Sequence, residues 1–362
     1  MSHNKHTRIN TEDYFSGLLQ TDCIFTCFMR PSKSIKIFIK YFLGPVLFVW
    51  VSYSIFHQVQ RQPGLEKSWQ TIRTSFGSSR ILYLVGVFIL MTVNWGIEAF
   101  KWQLSVRRIQ RINYFTAFKA VLSGTSFSVT TPNRVGEYLG RVLYMNDGNR
   151  LKAISLTIAG SMSQLIVTLL MGLIGFFILR KRIEDGHILS GTWIQVMLYG
   201  ASFVLIILTI IYLRLSGIIS WIDRLPAVRK YAWLLKGLED FNATLMLQIL
   251  SLSAIRFLVF LIQYYLLFRL YNVDVTWWEG LWAVSVTFLI LAVIPTIALF
   301  TDLSLRGQVS LKLIGLFSGN NLGIGFTSVT IWFVNLIIPA LAGSLLILGI
   351  KRIFKYTNDE KT

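Results

Sequence analysis

Apolar stretches of about 20 residues recur along the chain, each as long as a helix must be to cross roughly 30 Å of hydrocarbon. Six such spans can be drawn, over residues 35–56, 81–103, 154–179, 193–213, 245–270 and 322–350. Within them the aliphatic residues run in continuous blocks, as from Phe203 to Leu213, instead of alternating with polar ones. An outer-membrane barrel is built from strands of about 10 alternating residues, so the pattern excludes it and predicts an all-α, polytopic membrane protein. The composition agrees: 54% of the 362 residues are hydrophobic and only 14% are charged. That is more apolar surface than one water-soluble core could hide.

The formal net charge of +18 raises the question of nucleic acid, and the placement of the charges answers it. Arg30, Lys33, Lys36 and Lys40 precede the first span, and nine Lys and Arg residues from Lys101 to Lys152 follow the second. Arg214, Arg224, Arg229, Lys230 and Lys236 follow the fourth, whereas the long loop after the fifth holds only Arg269, Arg306 and Lys312. This is a positive-inside distribution with both termini cytoplasmic, in a cell or inner membrane. Arg180, Lys181 and Arg182 run against it, on the predicted outside. Anionic lipid headgroups account for the excess, and no nucleic acid partner is implied.

Residues 1–34 read as a cytoplasmic tail, 35–350 as one transmembrane domain and 351–362 as a second tail. The first 30 residues lack a signal-peptide pattern, and Met29, directly before a basic flank, is an expected alternative start. Cys23 and Cys27 lie in that segment without a partnering Cys pair or His, so no disulfide or metal site is expected there. No His cluster, Walker loop or dinucleotide fingerprint appears, and neither a cofactor nor nucleotide-driven transport is expected.

Two regions, about 81–180 and 245–350, share a layout. Each has a long span, an aromatic amphipathic stretch, a segment ending at a proline, an acid and an arginine four apart, and another long span. The spacing from Ala120-Val121 to Pro132 equals that from Ala283-Val284 to Pro295. The stretch before each proline is short for a full crossing, and the proline breaks a helix where it stands. Both are therefore predicted to be re-entrant hairpins. Three spans then separate the two beginnings, and the copies are inverted across the membrane. Transporters use this arrangement to place a site near the midplane.

The first hairpin offers the densest chemistry. After Pro132 and Arg134, Gly136 and Gly140 lie four apart, as do Glu137 and Arg141, so one face allows close approach and the next carries an ion pair. A helix starting just after Pro132 would point free N–H groups into the membrane, suited to phosphate, with Arg134 and Arg141 adding bidentate contacts. The alternative is that Glu137 and Arg141 only neutralise each other. Asp302 and Arg306 repeat the spacing in copy two. Arg256, with Gln263 on its face, is charged in mid-span and needs a partner, for which Glu137, Asp302 and Glu98 are candidates. Glu98, beside Lys101, reads as an interfacial ion pair. The eleven Trp residues read as interface anchors.

Three segments, TPNRVGEYLGR after the aromatic stretch, PTIALFTDLSLRG, and RFLVFLIQYYLL, together resemble the lysylphosphatidylglycerol synthase transmembrane region. That region is the flippase-type domain of the multiple peptide resistance factor family. The resemblance covers roughly residues 35–350 and implies movement of a phospholipid headgroup across the bilayer, with Pro132, Gly136, Glu137 and Arg141 at the matching positions. The sequence ends at Thr362 without the aminoacyl-transferring domain, so lipid aminoacylation is not the expected activity.

The leading expectation is a flippase-like transporter of a phosphate-bearing lipid, a phospholipid or a polyprenyl phosphate. Its polar site would gather Glu137, Arg141, Asp302, Arg306 and Arg256. The alternatives are a membrane-embedded enzyme acting on a polyprenyl phosphate or glycolipid, with Glu137 or Asp302 as base, and a non-catalytic scaffold for a lipid-modifying enzyme. Homo-oligomerisation stays open.

Overall fold

The computed structural model describes residues 80–131, 135–186, 188, 190–215, 217, 242–294 and 299–349. The span drawn over 35–56, both tails and the residues Pro132, Arg134 and Pro295 lie outside them. All regular structure among the described residues is helical. In chain order the helices are α1 (Ile81–Val106), α2 (Tyr114–Thr130), α3 (Gly136–Val142), α4 (Arg150–Asp185), α5 (Gly191–Leu213) and α6 (Ala243–Leu270). There follow α7 (Trp277–Val293), α8 (Leu299–Ile314), α9 (Asn321–Trp332) and α10 (Ile338–Gly349). Four of the spans drawn from sequence, at α1, α4, α5 and α6, are single helices. The fifth, drawn over 322–350, is α9 and α10 joined through a π-helical turn at Phe333–Ile337, where the buried Asn335 donates to the carbonyl of Ile331. Five helical segments among the described residues are thus long and apolar enough to cross a membrane.

Short polar residues start several of these helices. Asn113 Oδ1 accepts from the N–H of Thr116, Asn242 Oδ1 from that of Leu245, and Asn320 Oδ1 from that of Gly323. Thr276 and Glu279 form a reciprocal capping box at α7. Each side chain satisfies a donor that would otherwise be orphaned at a helix end.

Length sets the first predicted hairpin apart, since α3 is short, but not the second, where α7 and α8 have 17 and 16 residues. The 17 residues of α2 rise about 25 Å, and the 7 of α3 only about 10 Å, too little for a return crossing. The two run antiparallel: a Cβ on Gly140 would lie 2.5 Å from the backbone nitrogen of Gly124, and one on Gly136 would strike the carbonyl of Phe127. The first hairpin is therefore folded back on itself, with α3 lying against α2.

The two copies exchange partners. Helices α1 and α6, which open the copies, pack antiparallel: Glu98 meets Arg256, Val87 meets Gln263 and Gly86 faces Leu266. That is the relation an inverted repeat requires. The hairpin helix of each copy then packs on the closing span of the other, α2 on α10 and α7 on α4. The contacts correspond. A Cβ on Gly343 would strike the carbonyl of Leu122, and one on Gly172 would come within 3.0 Å of the carbonyl of Ser285. Leu122 and Ser285 each follow the Ala-Val pair that aligned the two copies. Removing a side chain lets two helix backbones approach closely, which drives helix association where lipid removes the hydrophobic incentive. Gly343→Val should therefore force α2 and α10 apart and cost about 1–3 kcal/mol by overpacking. A lowered midpoint of thermal unfolding in detergent would register it, whereas Gly191→Ala, in open space, should leave the midpoint unchanged.

The main apolar core lies among α4, α6, α7 and α9, around Phe176, Tyr264, Phe268, Val286 and Leu289. Helix α5 contributes little to it. Trp193, Tyr199, Phe203 and Ile206 stand exposed along its length, a surface suited to hydrocarbon. The basic run after the third span is the continuation of α4, where Arg180 pairs with Glu184 at 2.9 Å and Arg182 with Glu279 at 3.3 Å. Arg182 also stacks on Phe317, 4.6 Å from the ring centre. Two of the three charges that ran against the positive-inside pattern are thus held by local partners.

Candidate functional site

Helix α1 carries a polar stripe, Asn94, Glu98, Lys101 and Ser105, at steps of four, three and four residues. That spacing puts them on one face, and all four are buried. At the centre, Glu98 accepts from three cations. Lys101 Nζ lies 2.8 Å from its Oε2, a guanidinium nitrogen of Arg141 lies 2.8 Å from its Oε1, and Arg256 pairs with Oε2. The expected Glu98–Lys101 pair is present, and it lies inside the helix bundle: Glu98 is 5% exposed and Lys101 2%. Packing of α2, α4 and α6 onto α1 has enclosed both.

Each cation is fixed from a different element. Arg141 comes from α3, whose close seat on α2 depends on Gly124 and Gly140, and it also pairs with Glu137 one turn earlier. Arg256 comes from α6; its Nε donates to Asn94 Oδ1 at 2.7 Å, and its guanidinium lies 5.9 Å from the Trp95 ring centre. Lys101 is held by two long hydrogen bonds of 3.4 Å, to the Gly160 carbonyl on α4 and to Ser253 Oγ on α6. Ser253 in turn pairs with Ser163 at 2.8 Å. Three helices thus meet at one carboxylate, and a fourth, α4, holds its lysine. The Glu137 side chain is the open member at 27% exposed, against 3% for Arg141 and 7% for Glu98.

The cluster is not electrically balanced. Three cations, Lys101, Arg141 and Arg256, face two carboxylates, Glu98 and Glu137, leaving a formal charge of +1 among the described residues. Its unsatisfied polar atoms are all donors: Arg141 Nε, Asn94 Nδ2 and the indole N–H of Trp95 are buried without a hydrogen-bond partner. A buried site with excess positive charge and free N–H groups is chemically prepared for an anion.

The residues expected to form one site form two. Glu137, Arg141 and Arg256 come together through Glu98, and of the three candidate partners it is Glu98 that pairs with Arg256. Asp302 and Arg306 form a separate pair, 3.6 Å apart, with Arg306 reaching Tyr264 Oη at 3.4 Å and lying 5.9 Å from the Phe288 ring centre. Arg256 and Tyr264 are eight residues apart on α6, a rise of about 12 Å between the two groups. In copy two a neutral phenol meets the arginine where Glu98 meets Arg141 in copy one, and the pair is charge-balanced. The helix end expected to offer free N–H groups to phosphate also differs. Helix α3 begins at Gly136, whose N–H donates to Thr131 Oγ1 at 2.7 Å. Pro132 and Arg134 lie outside the described residues.

The family model described as the lysylphosphatidylglycerol synthase TM region matches residues 37–343. No curated protein matches the chain.

Proposed function

The chain belongs to the lysylphosphatidylglycerol synthase TM-region family, an integral membrane family whose name ties it to a phospholipid, and on that premise we propose that it moves a phosphate-bearing lipid headgroup between leaflets. The observation that carries the reading is the buried cluster around Glu98, positive in excess and provided with unpaired donors beside a half-open carboxylate. Ionisable groups enclosed among membrane-spanning helices are costly and mark substrate pathways. Two helical hairpins, each seated on the closing span of the opposite copy, supply the moving parts: rocking one copy against the other would expose the cluster to alternate sides. The protein would sit in the cell membrane with both termini cytoplasmic, as its Lys and Arg distribution favours.

Within this mechanism Glu137 occupies Arg141 while the site is empty, and an incoming phosphate takes over the guanidinium as Glu137 turns to solvent. Vesicles containing the purified protein and tail-labelled fluorescent phospholipids, read with a membrane-impermeant quencher, test this. Wild type should expose inner-leaflet lipid faster than empty vesicles, with the lipid recovered chemically unchanged. Glu137→Gln should change that rate several-fold, because it alters the group that competes for Arg141. No acceleration for any phospholipid would overturn the proposal.

A further inference from the structure

We infer that an anionic phospholipid of the surrounding membrane binds in a cavity between the ends of α1 and α6, apart from the Glu98 cluster, and stays there as a clamp between the two copies. The cavity, of about 500 Å³, is lined by Arg80, Leu82 and Tyr83 at the start of α1 and by Arg269 and Asn272 at the end of α6. Because α1 opens copy one and α6 opens copy two, each copy contributes a wall. Arg256, which reaches Glu98, stands thirteen residues before Arg269 on α6, so about 20 Å of helix separates the cavity from the cluster. A phosphate spanning Arg80 and Arg269 would tie together the ends of two helices that Glu98 and Arg256 already join further along.

The lining selects an anion. Among the described residues that form it are two arginines and no carboxylate. Arg269 is braced in place: Trp277 packs edge-on to Tyr265 with ring centres 5.1 Å apart, and Tyr265 Oη accepts from Nε and Nη2 of Arg269 at 3.1 and 2.6 Å. That partner is a neutral phenol, and three further N–H groups of the guanidinium are left for a phosphate, which arginine holds bidentately. Arg180 and Arg182, by contrast, are each tied to a carboxylate. Asp274 acts on Arg269 from outside the lining and offsets only one of the two charges. Asn272 takes the left-handed conformation, with φ 55°, and the Asn320 side chain donates to its carbonyl at 3.0 Å. The surroundings make the anion a lipid. Leu82, Val85 and Ile89 descend α1 at steps of three and four, all exposed, and Ile262, seven residues before Arg269, continues with Leu258 and Ile255 on α6. Two apolar stripes thus start at the cavity wall, where acyl chains can lie while the phosphate sits between the arginines, at the aromatic level of a membrane interface.

The test is thermal unfolding of the detergent-purified full chain, followed by helix content, with added phosphatidylglycerol, phosphatidylcholine or inorganic phosphate. Phosphatidylglycerol should raise the midpoint by about 2–4 °C, as a ligand of the folded state does, and the other two should leave it in place. Arg269→Gln and Arg80→Gln should each remove that rise, whereas Arg141→Gln, in the buried cluster, should keep it. A full rise in either of the first two variants, or its loss in Arg141→Gln, would overturn the site. A rise of the same size with inorganic phosphate or with phosphatidylcholine would overturn an anionic lipid as its occupant. No rise with phosphatidylglycerol in wild type would overturn both. The readout is binding, so a failure of translocation in vesicles would remove the transport reading and leave this site standing.

Discussion

Glu98→Gln is expected to destabilise the protein by about 3–5 kcal/mol, the cost of breaking a buried ion pair by removing one partner. The amide would leave Lys101 and Arg256 enclosed with no carboxylate, and Arg141 with Glu137 alone. None of the three cations can reach water by a rotamer change, since the residues are 2%, 9% and 2% exposed for Lys101, Arg256 and Arg141. Glu98 is therefore as much a structural hub as a site residue: it ties α1 to α3 and α6 at once. Unfolding in a graded denaturing detergent, followed by helix content, measures the loss. Arg180→Ala provides the contrast. Its pair with Glu184 has both side chains well exposed, 46% and 39%, and its removal should cost less than about 1 kcal/mol. The double variant Glu98→Gln, Lys101→Met should recover part of the single variant's loss, because it deletes one of the stranded charges. A Glu98→Gln protein as stable as wild type would show that Glu98 holds nothing together.

The hub was written in the sequence and still easy to pass over. The boundaries of α1, α4, α5 and α6 follow from apolar runs of adequate length, and the hairpin of α2 and α3 follows from Gly136 and Gly140 beside a proline. The copies align through Ala120-Val121 and Ala283-Val284, and the glycine contacts at Leu122 and Ser285 sit one residue beyond those pairs. Glu98 reads differently along the chain and in space. Next to Lys101 near the end of an apolar run, it looks like a residue at the membrane surface. The spacing Asn94, Glu98, Lys101, Ser105 is the signal of its burial in the bundle, because four polar residues on one face of a spanning helix must turn inward. What no local pattern supplies is the third dimension: Arg256 reaches the carboxylate because α6 packs on α1, and Arg141 because α3 is folded back on α2, which packs on α1 as well. The same limit explains Asp302 and Arg306, whose spacing copies that of Glu137 and Arg141. Their surroundings, Tyr264 and Phe288, are a phenol and a phenyl ring where copy one has a carboxylate and two further cations.

That asymmetry predicts unequal variants. Arg141→Gln is expected to slow translocation of an anionic phospholipid at least about thirtyfold, the factor that goes with roughly 2 kcal/mol for losing a buried, hydrogen-bonded charge partner. Arg306→Gln should slow it about fivefold or less, the scale of one ordinary hydrogen bond. The reason lies in what each guanidinium touches. Arg141 joins two carboxylates and carries an unpaired Nε into a cluster that lacks one negative charge. Arg306 faces Asp302 at 3.6 Å and a hydroxyl at 3.4 Å, and its removal strands a single carboxylate and no second cation. Arg141→Lys separates charge from shape: the ammonium keeps the charge but cannot hold Glu98 and Glu137 in one plane, so activity should fall between wild type and Arg141→Gln. Rates are compared only for variants that elute as monodisperse protein, which keeps folding defects apart from transport defects. Equal losses at Arg141 and Arg306 would mean that the two copies share the substrate evenly, and the charge excess at Glu98 would then have no special part in the cycle.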